Sequence, residues 1–104
     1  MIQTTRGPTL EDLRARREEI LRIANAYGAS NVRVFGSVAR GEAGPQSDVD
    51  LLVDIATDRR GFAFFGLLED LRRDLEELLG WPVDVGEAVR PHVGNDVARD
   101  LVAL

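Results

Sequence analysis

Apolar positions recur at helical spacing from Leu10 to Tyr27. Leu10, Leu13, Ile20, Leu21, Ala24 and Tyr27 share one face, which predicts an amphipathic helix over 10–27. Thr9 stands where an N-cap belongs, Glu11 and Asp12 suit the positive helix end, and Gly28 follows where a C-terminal glycine is expected. Val32, Val34 and Phe35 then predict a short strand, and Gly36-Ser37-Val38-Ala39-Arg40-Gly41 a turn that enters one helical turn. Glu42 to Ser47, with Gly44 and Pro45, reads as a loop.

Val49, Leu51, Leu52, Val53 and Ile55 make the clearest strand, bounded by Thr57 and Asp58. A second amphipathic helix is predicted from about Gly61 to Leu79, with Phe64, Phe65, Leu68, Leu71, Leu75, Leu78 and Leu79 as its core stripe and Gly80 as its end. Trp81 to Val85 reads as a last strand. Pro91 opens a short C-terminal helix through Val97 and Leu101. The order α-β-α-β-α-β-α is that of one α/β (α+β) layer structure, and the pattern leaves the direction of its strands open.

Length and composition narrow the function. At 104 residues the chain has room for one domain over 1–104, with 1–8 expected to be flexible. Its composition, 44% hydrophobic and 30% charged, is that of a globular protein, not of a disordered tail. No apolar run approaches a membrane span, and residues 1–8 lack the apolar centre of a signal peptide, so a cytoplasmic protein is expected. The chain has no cysteine, which excludes disulfides, zinc ribbons and thiol nucleophiles, and its one histidine, His92, leaves no material for histidine-cluster metal sites. All 13 basic residues are arginine, so Schiff-base chemistry and a Walker A lysine are excluded as well. A net charge of -5 speaks against generic nucleic-acid binding, which draws its affinity from neutralising phosphates. Carboxylates, hydroxyls and arginine remain for catalysis.

The carboxylates are arranged suggestively. Residues two apart on a strand point to the same side, so Asp48 and Asp50 face one spot while Val49 faces the other. Like charges that close repel unless a cation lies between them, and hard oxygen ligands favour Mg²⁺. Taken alone, the pair reads equally as two solvated aspartates at a strand mouth. Phe35-Gly36-Ser37 adds a strand that turns into a helix N-terminus, with free backbone N–H groups, a hydroxyl and a glycine that lets phosphate approach. Asp84, in Pro82-Val83-Asp84-Val85, lies opposite its flanking valines. If its strand lies beside that of Asp48, three carboxylates converge, enough for two metal ions in phosphoryl or nucleotidyl transfer.

Gly36-Ser37 and Asp48-x-Asp50, ten residues apart within Phe-Gly-Ser-Val-Ala-Arg-Gly-Glu-Ala-Gly-Pro-Gln-Ser-Asp-Val-Asp-Leu-Leu-Val, resemble the signature of the DNA polymerase beta-like nucleotidyltransferases. More narrowly, the chain resembles the minimal nucleotidyltransferases, the antitoxin half of HEPN/MNT toxin–antitoxin pairs, from roughly Leu10 to its C-terminus. The resemblance implies a small mixed sheet flanked by helices. It implies that Gly36 and Ser37 hold the nucleotide's β- and γ-phosphates, that Asp48 and Asp50 ligate Mg²⁺ (with Mn²⁺ as an alternative), and that Asp84 completes the metal site and helps deprotonate the acceptor. It further implies ATP as donor and, as acceptor, a tyrosine hydroxyl of a HEPN-type toxin, with which a hetero-oligomer can form. Two other functions are compatible with the same fold: an antitoxin that neutralises by binding alone, and a small-molecule transferase of the aminoglycoside type. The latter carries an extra helical domain that this length does not supply.

Other residues are weighed against plainer roles. Arg40 is a candidate phosphate ligand or an ion-pair partner of Glu42. Ser47 reads as a loop cap, Asp54 as a solvated strand end and His92 as surface. Phe62, Phe64 and Phe65 read as core, Trp81 equally as partner contact or edge packing, and Arg72 and Arg73 with their acidic neighbours as a solvated helix face.

Overall fold

The computed structural model describes residues 6–56, 61–87 and 101–104. Helix α1 (Leu10–Ala15) begins in a capping box: Thr9 Oγ1 accepts from Asp12 N, and the Asp12 carboxylate accepts from Thr9 N. Arg6 grips the same carboxylate at 2.7 and 3.0 Å, and Gly7 and Pro8 are buried, so this part of the start expected to be flexible is packed. The helix predicted over 10–27 is divided at Arg16 (φ -111, ψ 19), where the Arg16 amide bonds the Leu13 carbonyl at 3.0 Å and tightens the turn. Helix α2 (Arg17–Ala26) follows, ending before Tyr27 and Gly28, whose φ of 77 takes the left-handed turn expected there.

Strand β1 (Ala29–Phe35) leads through α3 (Gly36–Arg40) and a loop to β2 (Val49–Ile55). Helix α4 (Phe62–Leu79) then crosses back to β3 (Val83–Glu87), and β4 (Val102–Ala103) closes the chain. The four strands form a mixed sheet in the order β3-β2-β1-β4. β1 is antiparallel to β2 and β4, whereas β2 and β3 are parallel, as a strand–helix–strand crossover requires. This is the mixed sheet that the resemblance implies.

One face of the sheet supplies the core. Val34, Val49, Leu51, Val53 and Val83 are at most 3% exposed and pack with Leu13, Ile20 and Ala24 of α1 and α2 and with Leu71 and Leu75 of α4. Each such aliphatic side chain contributes about 1.5–3 kcal/mol by leaving water. Asp50, Asp54 and Asp84 therefore fall on the opposite face, by strand alternation.

One prediction needs correction. The buried stripe of α4 runs through Leu67, Leu71 and Leu75, while Phe65 is 67% and Phe62 95% exposed, so the phenylalanine cluster is not a core unit. The apolar residues of α4 outnumber the positions that one buried stripe can hold, and the three leucines at i, i+4 and i+8 take it. The C-terminal helix from Pro91 lies largely outside the described residues. The chain end itself is strand β4, and Leu104 N donates to the Val32 carbonyl at 2.9 Å, because the outer edge of β1 offers backbone groups that need partners.

Candidate active site

The end of β1 and the start of β2 lie side by side, with Phe35 paired to Asp50. The chain leaves β1 through Gly36 at a φ of 76, in the left-handed region, and a Cβ built there would run into Asp50 Oδ2. Glycine is thus required twice over, by backbone conformation and by the approach of the carboxylate. It opens α3, whose first turn has no side-chain cap, so the hydrogen-bonding capacity of its leading N–H groups is not taken up that way. Ser37 is half-buried in that turn, and Gly41 (φ 75) ends the helix.

The loop that follows is tied off before the aspartates. Ser47 Oγ accepts from Gly44 N at 2.9 Å and Ser47 N donates to the Gly44 carbonyl at 3.0 Å, which makes Ser47 the loop cap its position suggests. Val49 N donates to the Pro82 carbonyl at 2.8 Å and draws the start of β3 alongside. In the parallel register that results, Asp50 lies beside Asp84. Asp48 and Asp84 are exposed and Asp50 is half-buried.

This crowding has an electrostatic signature. Burial, then the charges of Asp84 and Asp48, raise the Asp50 carboxyl above its ordinary value, with Arg40 pulling the other way. Each of those like charges is a place where a cation would lower the energy. Among the described residues no three acidic or imidazole side chains are drawn together into a closed ligand set as they stand. The donor chemistry nonetheless fits Mg²⁺: hard carboxylate oxygens, mutual repulsion, and a glycine turn whose missing side chain lets one of those carboxylates sit against the backbone.

The structure thus gathers Gly36, Ser37, Asp48, Asp50 and Asp84 at one end of the sheet. Arg40 makes the ion pair with Glu42, Nε to Oε1 at 3.0 Å, and its charge is also felt at Asp50. Asp54, read as a solvated strand end, is half exposed there and pairs with Arg33 at 2.8 Å and accepts from Asn31 Nδ2 at 3.0 Å. Trp81 packs against the core, and the Arg6 guanidinium lies 6.0 Å from its ring centroid, which answers to edge packing. His92 lies outside the described residues. An open cleft of about 480 Å³ between α2 and β1, lined by residues including Glu18, Arg22 and Asn31, sits at the other end of β1 and touches none of Gly36, Ser37, Asp48, Asp50 or Asp84. Glu76, read with Arg72 and Arg73 as part of a solvated helix face, instead carries its carboxylate to Val83 N at the start of β3; nothing local in a charged helix face signals a bond to the next strand.

The sequence pattern of the nucleotidyltransferase domain matches residues 16–101, which include every one of these aspartates. The chain belongs to the nucleotidyltransferase domain family. Relatives span most of it. A Methanocaldococcus jannaschii protein provisionally named a protein adenylyltransferase is 31% identical over 93 residues, 82% of this chain and 91% of its own length. The protein adenylyltransferase MntA of Thermococcus cleftensis is 36% identical over 78 residues, 73% of this chain and 75% of its own. Among solved structures, one described provisionally as a minimal nucleotidyltransferase superposes with a TM-score of 0.74 at 42% identity, covering 93% of this chain and 97% of the other. A toxin–antitoxin structure with AMP-PNP shares the nucleotidyltransferase fold at a TM-score of 0.64 and 19% identity, over 83% of this chain and 69% of the other. Among the described residues no helix is long and apolar enough to cross a membrane.

Proposed function

We propose that this nucleotidyltransferase is an antitoxin that transfers AMP from ATP to a tyrosine hydroxyl of a partner HEPN-type ribonuclease toxin and so silences it. The observation that carries the reading is the junction of Gly36 with Asp50, itself beside Asp84 on the neighbouring parallel strand. The relatives named as protein adenylyltransferases support it.

The residues have separable tasks. The Gly36–Ser37 turn offers backbone N–H groups and a hydroxyl to the β- and γ-phosphates, with Arg40 as a further phosphate contact once it turns from Glu42. Asp48, Asp50 and Asp84 would hold Mg²⁺, one ion or two, with Mn²⁺ able to replace it. The metal supplies charge that polarises the α-phosphate and stabilises the departing pyrophosphate. Asp84, exposed at the outer side of the site, receives the proton of the acceptor hydroxyl. The acceptor oxygen forms a bond to the α-phosphorus as the bond to pyrophosphate breaks. No membrane or direct nucleic-acid contact enters this scheme, and it places the chain in the cytoplasm with its toxin.

Incubating the chain with Mg²⁺, labelled ATP and a HEPN-type toxin, sought first in the adjacent reading frame, tests the proposal. Label should pass to the toxin and disappear with Asp48→Ala plus Asp50→Ala. Transfer that persists in the double variant overturns the site assignment. Neutralisation without any label on the toxin makes the chain an antitoxin by binding alone, and transfer to an aminoglycoside instead makes it a small-molecule enzyme.

A further inference from the structure

Among the described residues Asp84 has no side-chain bond that fixes it, so its place beside Asp50 depends on how the backbone of β3 begins. Two contacts control that beginning. On the inner side, Val49 N of β2 donates to the Pro82 carbonyl at 2.8 Å. On the outer side, Val83 N donates to Glu76 Oε2 of α4 at 2.9 Å. Glu76 also accepts Gly80 N at its main-chain carbonyl, at 2.8 Å, and so holds the turn between α4 and β3 at both ends. Its carboxylate is in turn fixed by Arg72, whose Nη1 lies 2.7 Å from the same Oε2. Arg72 is anchored from behind by both oxygens of Glu69, at 2.9 and 3.3 Å.

Ion pairs on a solvated helix face contribute little and end on their own helix. This row does not end there: Glu69, Arg72 and Glu76 lead to the amide adjoining Asp84. A charged acceptor on a backbone N–H is among the stronger hydrogen bonds, and here it takes the place of a neighbouring strand at the edge of the sheet. We propose that Glu76, braced by Arg72, is a positioning residue that sets Asp84 against Asp50. The inference rests on Asp84 belonging to the transfer site. Groups that must meet a metal and a reacting oxygen tolerate displacements of only about 0.5 Å, so a bond one residue away matters.

The full chain is compared as wild type, Glu76→Ala, Glu76→Gln and, as a control on the same helix, Arg73→Ala, whose ion pair among the described residues is with Asp70 and which makes no bond to Glu76. Without metal or nucleotide, Glu76→Ala should speed hydrogen exchange at the Val83 amide, whereas Arg73→Ala should not. Mn²⁺ affinity, read from water-proton relaxation, and kcat for AMP transfer should each fall about 10- to 100-fold in Glu76→Ala with the KM for ATP little changed, the usual cost of losing an outer partner of a metal ligand. Glu76→Gln keeps an oxygen for Val83 N and should restore most of both. In an Asp84→Ala background, Glu76→Ala should cause no further loss of Mn²⁺ affinity, although its effect on melting temperature remains.

Wild-type Mn²⁺ affinity and kcat in Glu76→Ala overturn the inference, and so does an equal loss of Mn²⁺ affinity whether or not Asp84 is present. If the wild-type chain transfers no AMP, the proposed function fails. Val83 exchange and Mn²⁺ affinity still decide the role of Glu76.

Discussion

Asp50 and Asp54 stand on one strand and one face of the sheet, yet their surroundings are opposite. Asp54 is neutralised: Arg33 bonds it at 2.8 Å and Asn31 at 3.0 Å. Asp50 makes no ion pair among the described residues; it is half-buried against Gly36, with Asp84 and Asp48 as like-charged neighbours. The far end of β2 satisfies its charge with the protein's own groups. The near end leaves charge unsatisfied, as a site for an external cation and a phosphate must. What separates the two aspartates is therefore what the neighbouring strand brings, an arginine in one case and a second carboxylate in the other.

The largest effect that tests this contrast is chemical. Asp50→Ala should reduce label transfer from ATP by on the order of 10²–10³-fold or more, the scale of losing a group that stabilises transition-state charge, without lowering the melting temperature. A fall in melting temperature of several degrees would make Asp50 a structural residue like Asp54. Next, Gly36→Ala should both impair transfer and destabilise the fold by about 1–3 kcal/mol, read from its denaturant midpoint, because the side chain meets a left-handed backbone and Asp50 together. Arg33→Ala should cost about 0.5–1 kcal/mol in the same measurement and leave transfer at the wild-type rate, since Arg33 serves only the far end.

The smallest effect concerns pH. The Asp50 carboxyl titrates above 3.8 in the folded chain, first because of burial and then because of Asp84 and Asp48. The folded state therefore binds this proton more readily than the unfolded state. Its contribution to stability is fully present below 3.8 and is lost as the pH rises through the folded value. Asp50→Asn should thus raise the melting temperature at neutral pH and low salt, with the gain vanishing at acid pH. A gain independent of pH would show that crowding of charge is not its source. Asp12 has the opposite sign: the hydrogen bond from Arg6 lowers its carboxyl, so its contribution holds above 3.8 and fades in acid.

Much of this was legible locally. Thr9, Gly28, Gly41 and Gly80 mark where helices start or stop, because caps and left-handed turns are short-range requirements. The alternation at Val49, Leu51 and Val53 orients β2 and with it Asp50. Phe62 and Phe65 misled, because apolarity alone does not say which side of a helix the sheet will cover. The break at Arg16 carries no glycine or proline to announce it, and β4 follows from an open edge of β1 far away in sequence.

The sequence by itself determined most of the helices and strands and where they start or stop, the chemistry open to the chain and the spacing of Gly36-Ser37 from Asp48-x-Asp50, because propensity, capping and side-chain alternation act over a few residues. Only the tertiary structure decided which charges meet. Parallel pairing of β2 and β3 sets Asp84 beside Asp50, antiparallel pairing of β1 brings Arg33 to Asp54, and Glu76 reaches across a turn to Val83. Electrostatic energies depend on distance in space and on burial, neither of which is a local property of the chain.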